Sequence, residues 1–114
     1  MKTIIAGSRT ITDSIYLIQM LSWHTIFAIT EIISGNADGV DRIGERFAKK
    51  YSIPVKLYPA MWKTYGKKAG YIRNKQMAEY ADMALIIWDG KSKGTKLMID
   101  LAVENKLPTF IYIP

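Results

Sequence analysis

Short hydrophobic runs alternate with longer amphipathic stretches along all 114 residues of the chain. The hydrophobic runs predict five strands, at Thr3–Ala6, Glu31–Ile33, Val55–Tyr58, Met83–Trp88 and Thr109–Ile113. Four stretches between them have helical spacing, about Ser14–Phe27, the residues behind Asp38 as far as Tyr51, Gly70–Ala81 and Thr95–Asn105. This regular alternation indicates an α/β fold, with a parallel sheet that carries helices on both faces.

The composition of the strands predicts their order in the sheet. Thr3–Ala6 and Met83–Trp88 are almost continuously apolar, as in central strands covered on both faces, whereas Val55–Tyr58 alternates and suits an edge. We therefore expect one Rossmann-like, doubly wound sheet of five strands in the order 3-2-1-4-5, with four helices. In such sheets ligands bind outside the carboxyl ends of the strands, here at the switch point between strands one and four.

The first predicted helix, residues 14–27, carries apolar residues around most of its circumference, which is more than one sheet face can cover. This pattern suggests a homo-oligomer contact through residues 14–27. The alternative is that a neighbouring helix covers the surplus. His24 is the one histidine of the chain, and we expect it to pack in this helix or its interface rather than to act in catalysis.

The charge of the chain suggests an anionic partner. Sixteen Lys and Arg residues against ten Asp and Glu give a net charge of +6. Residues 46–78 hold nine of the basic residues and no acidic one, which suggests a face for anions, with a solvated basic surface as the alternative. The absence of cysteine excludes thiolate catalysis. The longest apolar run is too short to span a bilayer, so we expect a cytoplasmic protein without membrane contact.

The loops that should meet at the switch point contain glycines ahead of helices. Three pairs share one spacing: Gly35/Gly39, Gly66/Gly70 and Gly90/Gly94. Glycine allows a phosphate to approach main-chain N–H groups, and a helix N-terminus behind it favours the negative charge. The pattern predicts phosphate-binding loops around one site. Neither the dinucleotide-binding fingerprint nor the P-loop motif is present, and we expect no cofactor and no metal site.

Several side chains near these loops could contact such a ligand. Arg9 follows the first strand, where its guanidinium could bind a phosphate, and Arg73 could approach from the third helix. Trp62 or Tyr71 could stack on a base, although Trp62 could equally be hydrophobic cover. Capping of the second helix is the default role for Asp38, which lies three residues before Asp41.

Five motifs follow one another along the loops: Gly7-Ser8-Arg9, Ser34 to Arg42, Pro59 to Trp62, Gly66 to Met77 and Gly94-Thr95. Together these motifs resemble the small stand-alone Rossmann-like proteins of the SLOG superfamily. That superfamily also holds the DNA-processing protein A family and the LONELY GUY-type phosphoribohydrolases. The resemblance implies one nucleotide-binding domain over residues 1–114, with phosphate near Gly94-Thr95 and the Gly35 to Gly39 loop and Arg73 around the ligand.

One departure from the phosphoribohydrolases concerns their chemistry. Their catalytic glutamate follows the Gly-Thr pair by three residues, where this chain has Met98, and the nearest acid is Asp100. Glycoside hydrolysis needs a carboxylate beside the reacting sugar. Arg73 and Met77 match the helix pattern of those enzymes, which supports a shared ligand geometry rather than a shared reaction.

The leading hypothesis is a non-enzymatic module that binds a nucleotide-derived small molecule as a sensor, carrier or sequestering protein. One alternative is a nucleotide N-glycoside hydrolase or transferase that uses Asp38 or Asp41; another is single-stranded nucleic-acid binding through the basic segment and its aromatic residues. The predicted ligand-binding residues are Gly7, Ser8, Arg9, Gly35, Asn36, Asp38, Gly39, Arg42, Trp62, Arg73, Asn74, Gly90, Gly94 and Thr95.

Overall fold

A computed structural model describes residues 1–114 and shows one parallel five-stranded sheet in the order β3-β2-β1-β4-β5. The predicted α/β class and strand order are therefore confirmed. The strands are β1 (Lys2–Gly7), β2 (Glu31–Ser34), β3 (Val55–Leu57), β4 (Met83–Ile87) and β5 (Thr109–Tyr112). The helices are α1 (Ile15–Met20), α2 (Trp23–Ala28), α3 (Val40–Lys50), α4 (Trp62–Tyr65), α5 (Ala69–Tyr80) and α6 (Lys93–Glu104).

Burial along the strands explains the order. Every residue of β4 is buried and every residue of β3 is exposed, as a central and an edge strand require. β1 pairs with both β2 and β4, in a register that places Thr3 opposite Ile32 on one side and Met83 on the other. The carboxyl ends of β1 and β4 consequently lie side by side, and the chain leaves them toward opposite faces of the sheet.

Two hydrophobic clusters cover the two faces of the sheet, because successive strand residues point in opposite directions. Ile4 and Ile86 pack with residues of α5 and α6, whereas Ile5 and Leu85 pack with residues of α1 and α3. α3 lies very close to β1, since a Cβ on Gly44 would come within 2.9 Å of the Ile5 side chain. No helix is both long enough and apolar enough to cross a membrane.

The prediction of four helices requires a correction in two places. The predicted helix over residues 14–27 is two short helices, because Leu21 is extended and the Ser22 side chain accepts the Thr25 backbone N–H at 3.2 Å as the N-cap of α2. The long connection after β3 contains the single-turn helix α4 and a 3₁₀ turn (Gly66–Lys68), which lead directly into α5. Neither change alters the order of the sheet.

Candidate functional site

A cleft opens at the carboxyl ends of β1 and β4, the switch point of the sheet. Its main cavity measures about 320 Å³, and a second cavity of about 240 Å³ adjoins it. Four residues line both cavities: Arg9, Gly35, Ala37 and Arg73. The two cavities are therefore lobes of one cleft, which we call the inner lobe and the outer lobe, and two arginines lie where the lobes meet.

The end of β1 forms the floor of the inner lobe. A Cβ on Gly7 would lie 2.0 Å from the Ile87 carbonyl oxygen, so only glycine lets β1 continue beside β4 at this point. The Ser8 backbone N–H donates to that same carbonyl oxygen at 3.1 Å, and the Ser8 hydroxyl accepts the Asp89 backbone N–H at 3.0 Å. Ser8 thereby ties the loop after β1 to the loop after β4, and it holds the floor of the cleft in one conformation.

The loop between β4 and α6 forms one wall of the inner lobe. The Asp89 carboxylate accepts the backbone N–H groups of Lys91 and Ser92 at 2.8 Å each, and these hydrogen bonds lower the pKa of Asp89. Ser92 is the N-cap of α6, with its hydroxyl 3.4 Å from the Thr95 backbone nitrogen. Gly94 follows in the first turn and faces the lobe, with no heavy atom within 4 Å of its Cβ position. First-turn N–H groups of a helix have no partner within the helix, so this wall suits an anion.

Arg73 reaches the cleft from α5. Its Nη1 donates to the Gly35 carbonyl oxygen at 2.6 Å and its Nε donates to the Asn74 side-chain oxygen at 2.7 Å. The Asn74 amide nitrogen lies 3.5 Å from the Gly94 carbonyl oxygen, which links Arg73 to the start of α6. Burial lowers the pKa of Arg73, yet a guanidinium remains charged in proteins. The Arg73 guanidinium is thus a cation held in position, and its other N–H groups can donate to a ligand.

Asp41 lies behind Gly35 in the inner lobe and is only 6% exposed. One of its carboxylate oxygens accepts the Ala37 backbone N–H at 3.2 Å. Burial raises the pKa of Asp41 to about 6, and the hydrogen bond from Ala37 and the positive charge of Arg73 offset part of that rise. A Cβ on Gly35 would come within 2.9 Å of the Asp41 carboxylate and 2.6 Å of Arg73 Nη1, so Gly35 lets both groups approach the same point.

The outer lobe combines an aromatic side chain with a carboxylate. Trp62, from α4, lines this lobe with 54% of its surface exposed, beside Pro59 and Ala60 of the connection after β3. Asp38 lies on the opposite loop with Asn36. An exposed indole of this kind can stack on a planar ring, and the neighbouring carboxylate can accept hydrogen bonds from it.

Eleven of the fourteen predicted ligand-binding residues line the two lobes, and Gly39, Arg42 and Gly90 do not. Gly39 has a positive φ of 76° and packs on the backbone of Ser8 and Arg9, so Gly39 and not Asp38 is the N-cap of α3. Arg42 forms an ion pair with Glu45 at 3.0 Å and donates to the Asn36 side chain at 2.7 Å.

Gly66 and Gly70 line neither lobe; Gly66 begins the 3₁₀ turn and Gly70 is the second residue of α5. Tyr71 is exposed and outside both lobes. Met98 is buried and does line the inner lobe, so the position that corresponds to the phosphoribohydrolase glutamate faces the cleft with a thioether.

The two aspartates predicted as candidates for a catalytic acid lie in different lobes. Asp41 lines the inner lobe and Asp38 the outer lobe, whereas Asp100 is exposed and forms an ion pair with Lys96 at 2.6 Å. Residues that the sequence reasoning missed are Asp89 and Ser92. Their signal was present, since an Asp-x-x-Ser turn followed by Ser-x-x-Thr is a common helix start.

The basic segment of residues 46–78 lies mostly outside the cleft. Eight of its nine basic side chains are exposed, and Arg73 alone lines the lobes. Neither of the two ion pairs in the structure involves this segment. Tyr51, Tyr65 and Tyr71 are exposed among these charges. The segment therefore forms a basic surface beside the cleft, over the end of α3, the edge strand β3 and the start of α5.

Comparisons with known proteins place the sequence in a family. A family model described as YAcAr: YspA, cpYpsA-related SLOG family matches residues 1–65. The Gene 61 protein of Mycobacterium phage D29 is 35% identical over 83 residues, an alignment that covers 68% of this chain and 66% of that protein. No solved structure matches. The matched family segment contains Arg9, Gly35, Asp41 and Trp62, whereas Arg73 and α6 follow it along the chain.

Proposed function

The chain belongs to the YspA, cpYpsA-related SLOG family, and from the cleft we propose that it binds a phosphorylated nucleotide or nucleotide derivative. The predicted SLOG resemblance is confirmed by the family match. Within the proposal, residues 1–114 act as one binding domain, which serves as a sensor, carrier or sequestering module. The observation that carries the proposal is the position of Arg9 and Arg73, which line both lobes of one cleft.

The phosphate is proposed to bind in the inner lobe, between the arginines and the start of α6. This is supported by two kinds of donor around one space: two guanidinium groups and the first-turn N–H groups near Gly94. Gly94 supports it further, because the absence of a side chain leaves the helix N-terminus open to the lobe. A guanidinium can bind two phosphate oxygens at once, which gives orientation as well as affinity.

The ring system is proposed to bind in the outer lobe, against Trp62. An indole offers stacking to any base, so this contact supports nucleotide binding without selecting one base. The Asp38 carboxylate is an acceptor for base amino or sugar hydroxyl groups at the same lobe. The connection between the lobes passes the two arginines, where a phosphate attached to the sugar would lie.

Calorimetry against a panel of ligands tests this function. We expect at least one of AMP, GMP, cyclic AMP, ADP and ADP-ribose to bind more tightly than about 1 mM, and adenosine to bind at least tenfold more weakly than AMP. The comparison between AMP and adenosine isolates the phosphate, because the base and sugar are the same. Absence of binding across the whole panel, or equal binding of adenosine and AMP, would contradict the proposal.

A second candidate function is hydrolysis of a nucleotide N-glycosidic bond, and Asp41 is the observation that favours it. Its carboxyl group lines the inner lobe and has a pKa raised to about 6 by burial, which suits a group that exchanges protons near neutral pH. Met98 counts against the mechanism of the phosphoribohydrolases, because it cannot replace their carboxylate. Release of free base from AMP by the wild-type protein, abolished in Asp41→Asn, would establish the enzyme; no release would exclude it.

A further inference from the structure

α2 is an apolar helix whose residues are all left unburied by the rest of the chain. Trp23 is 66% exposed and Phe27 is 81% exposed, and their ring centroids lie 6.1 Å apart on the same side of the helix. Ile18 of α1 is 57% exposed next to them. Exposed aromatic pairs of this size are uncommon on a protein surface that has no partner.

A groove of about 250 Å³ lies beside this aromatic pair. Six of its seven lining residues are hydrophobic, among them Ile18, Leu21, Ile26, Phe47 and Tyr51. We call Ile18, Trp23, Phe27 and this groove the apolar face. The face shares no lining residue with either lobe of the cleft, so it is a separate surface.

Most of the apolar face is also free of charge, although the Lys50 ammonium lies 5.6 Å from the centroid of the Tyr51 ring, which lines the groove. Residues 14–30 contain no Asp, Glu, Lys or Arg, although 23% of the whole chain is charged. Residues 14–30 therefore offer an anionic ligand no counter-charge, and their exposed side chains gain most from an apolar occupant. The whole chain has a net charge of +6, so two copies repel each other. Contact through residues 14–30 brings no basic side chains of this segment together.

We propose that the apolar face binds a second copy of this chain in a two-fold symmetric dimer. A two-fold symmetric contact requires one surface that is complementary to itself. Every contact between two different residues then occurs twice, once in each direction across the interface. The apolar face has both parts, a projecting aromatic side chain at Phe27 and an apolar groove beside it. In the dimer Phe27 of each copy enters the groove of the other copy, between Ile18 and Tyr51.

The two exposed aromatic side chains supply more than half of the area that a specific contact needs. Aromatic side chains bury roughly 200 Å² each, so the exposed parts of Trp23 and Phe27 account for roughly 300 Å² on one copy and roughly 600 Å² on two. A specific interface needs about 1,000 Å² in total. Ile18, which is 57% exposed, and the hydrophobic walls of the groove add to this area on the same face.

The test measures molar mass in solution. We expect light scattering to give the mass of a dimer for the wild-type protein at about 200 μM, and the mass of a monomer for Phe27→Glu and for Trp23→Glu. The dissociation constant should rise at least about 100-fold in each variant, as for central aromatic residues of interfaces. Val103→Glu is the matched control, because Val103 is an exposed apolar residue of α6 away from this face and its variant should remain a dimer.

A second measurement keeps the proposal testable if Phe27→Glu does not fold, as judged by circular dichroism. The chain has no cysteine, so a mixture of Phe27→Cys and Tyr51→Cys proteins should form mixed disulfides under mild oxidation faster than either forms disulfides alone. A monomeric wild-type protein at about 200 μM would overturn the proposal and leave the face to another occupant. A dimer that persists in both glutamate variants, or mixed disulfides no faster than self-pairing, would also overturn it.

Discussion

Substitution of Gly94 by alanine separates stability from binding. At a residue with helical backbone angles, alanine is more stable than glycine by up to about 1 kcal/mol, because glycine loses more backbone freedom on folding. Gly94 has no positive φ, and no heavy atom lies within 4 Å of the added Cβ. The methyl group therefore meets only the space of the inner lobe, and we expect the melting temperature to rise by about 2–5 °C.

The same methyl group should weaken binding. It occupies the approach to the start of α6, where the phosphate is proposed to accept first-turn N–H groups. Loss of one hydrogen bond to a charged group costs about 1.5–3 kcal/mol, which corresponds to a roughly 10- to 150-fold weaker affinity. Calorimetry with the tightest-binding nucleotide of the panel measures this loss, and thermal unfolding of the same samples measures the gain in stability.

Gly70→Ala is the matched control for this experiment. Gly70 is also the second residue of a twelve-residue helix, and its added Cβ would meet only the Trp62 ring at an ordinary contact distance of 3.5 Å. It lines neither lobe. Gly70→Ala should therefore gain similar stability without a change in affinity. If Gly94→Ala binds as tightly as Gly70→Ala, the phosphate does not bind at the start of α6 and the reasoning is refuted.

Three further predictions concern charged residues in the cleft and on the basic surface beside it. Arg73→Lys keeps the charge but not the guanidinium that spans Gly35 and the ligand, so calorimetry should show at least tenfold weaker binding; unchanged affinity would count against a direct contact. Folding raises the pKa of Asp41 to about 6, so protonation of this carboxyl group stabilises the folded state. The full stabilisation is present below about pH 4 and is lost as the pH rises through about 6. In urea titrations the unfolding free energy of the wild type should fall by about 2–3 kcal/mol relative to Asp41→Asn between pH 4 and pH 7, and parallel curves would contradict the assignment. Lys67→Glu and Lys68→Glu should leave AMP affinity within twofold, because both residues lie outside the lobes; if a single-stranded oligonucleotide binds, fluorescence anisotropy should show these variants and added salt weakening it.

The arrangement of the sheet could be predicted from the sequence because the hydrophobicity of each strand reflects how far that strand is buried in the sheet. β4 is hydrophobic throughout and is buried throughout, while β3 alternates and is exposed. The first helix could not be predicted in the same way. Apolar residues lie around most of its circumference, so hydrophobic spacing alone did not indicate that the Ser22 side chain caps a new helix.

The site was predictable as far as chain connectivity determines it. Residues directly after β1, β2 and β4 must meet at one edge, and this placed Arg9, Gly35 and Gly94 together. Gly66 and Gly70 have the same spacing as the other glycine pairs, but spacing along the chain does not show that they lie outside both lobes.

The roles of Asp38 and Asp41 could not be predicted from the sequence, because they depend on contacts that the local sequence pattern does not show. Asp38 precedes α3 and has the composition of a cap, yet Gly39 occupies that position with a positive φ that suits glycine. Asp41 lies one turn further and folds back to the Ala37 N–H inside the inner lobe. Its burial, and hence its raised pKa, results from packing that brings Ala37, Arg73 and Arg9 together from different parts of the chain.

The central claim is that a phosphorylated nucleotide derivative binds between Arg9, Arg73 and the start of α6. Mass spectrometry of the small molecules released when purified protein is denatured tests this claim most directly, with Arg73→Met purified in parallel. The account predicts a phosphorylated nucleoside compound released by the wild-type protein and depleted at least tenfold from Arg73→Met. A released compound without phosphate, or a phosphorylated one that Arg73→Met retains equally, would contradict it.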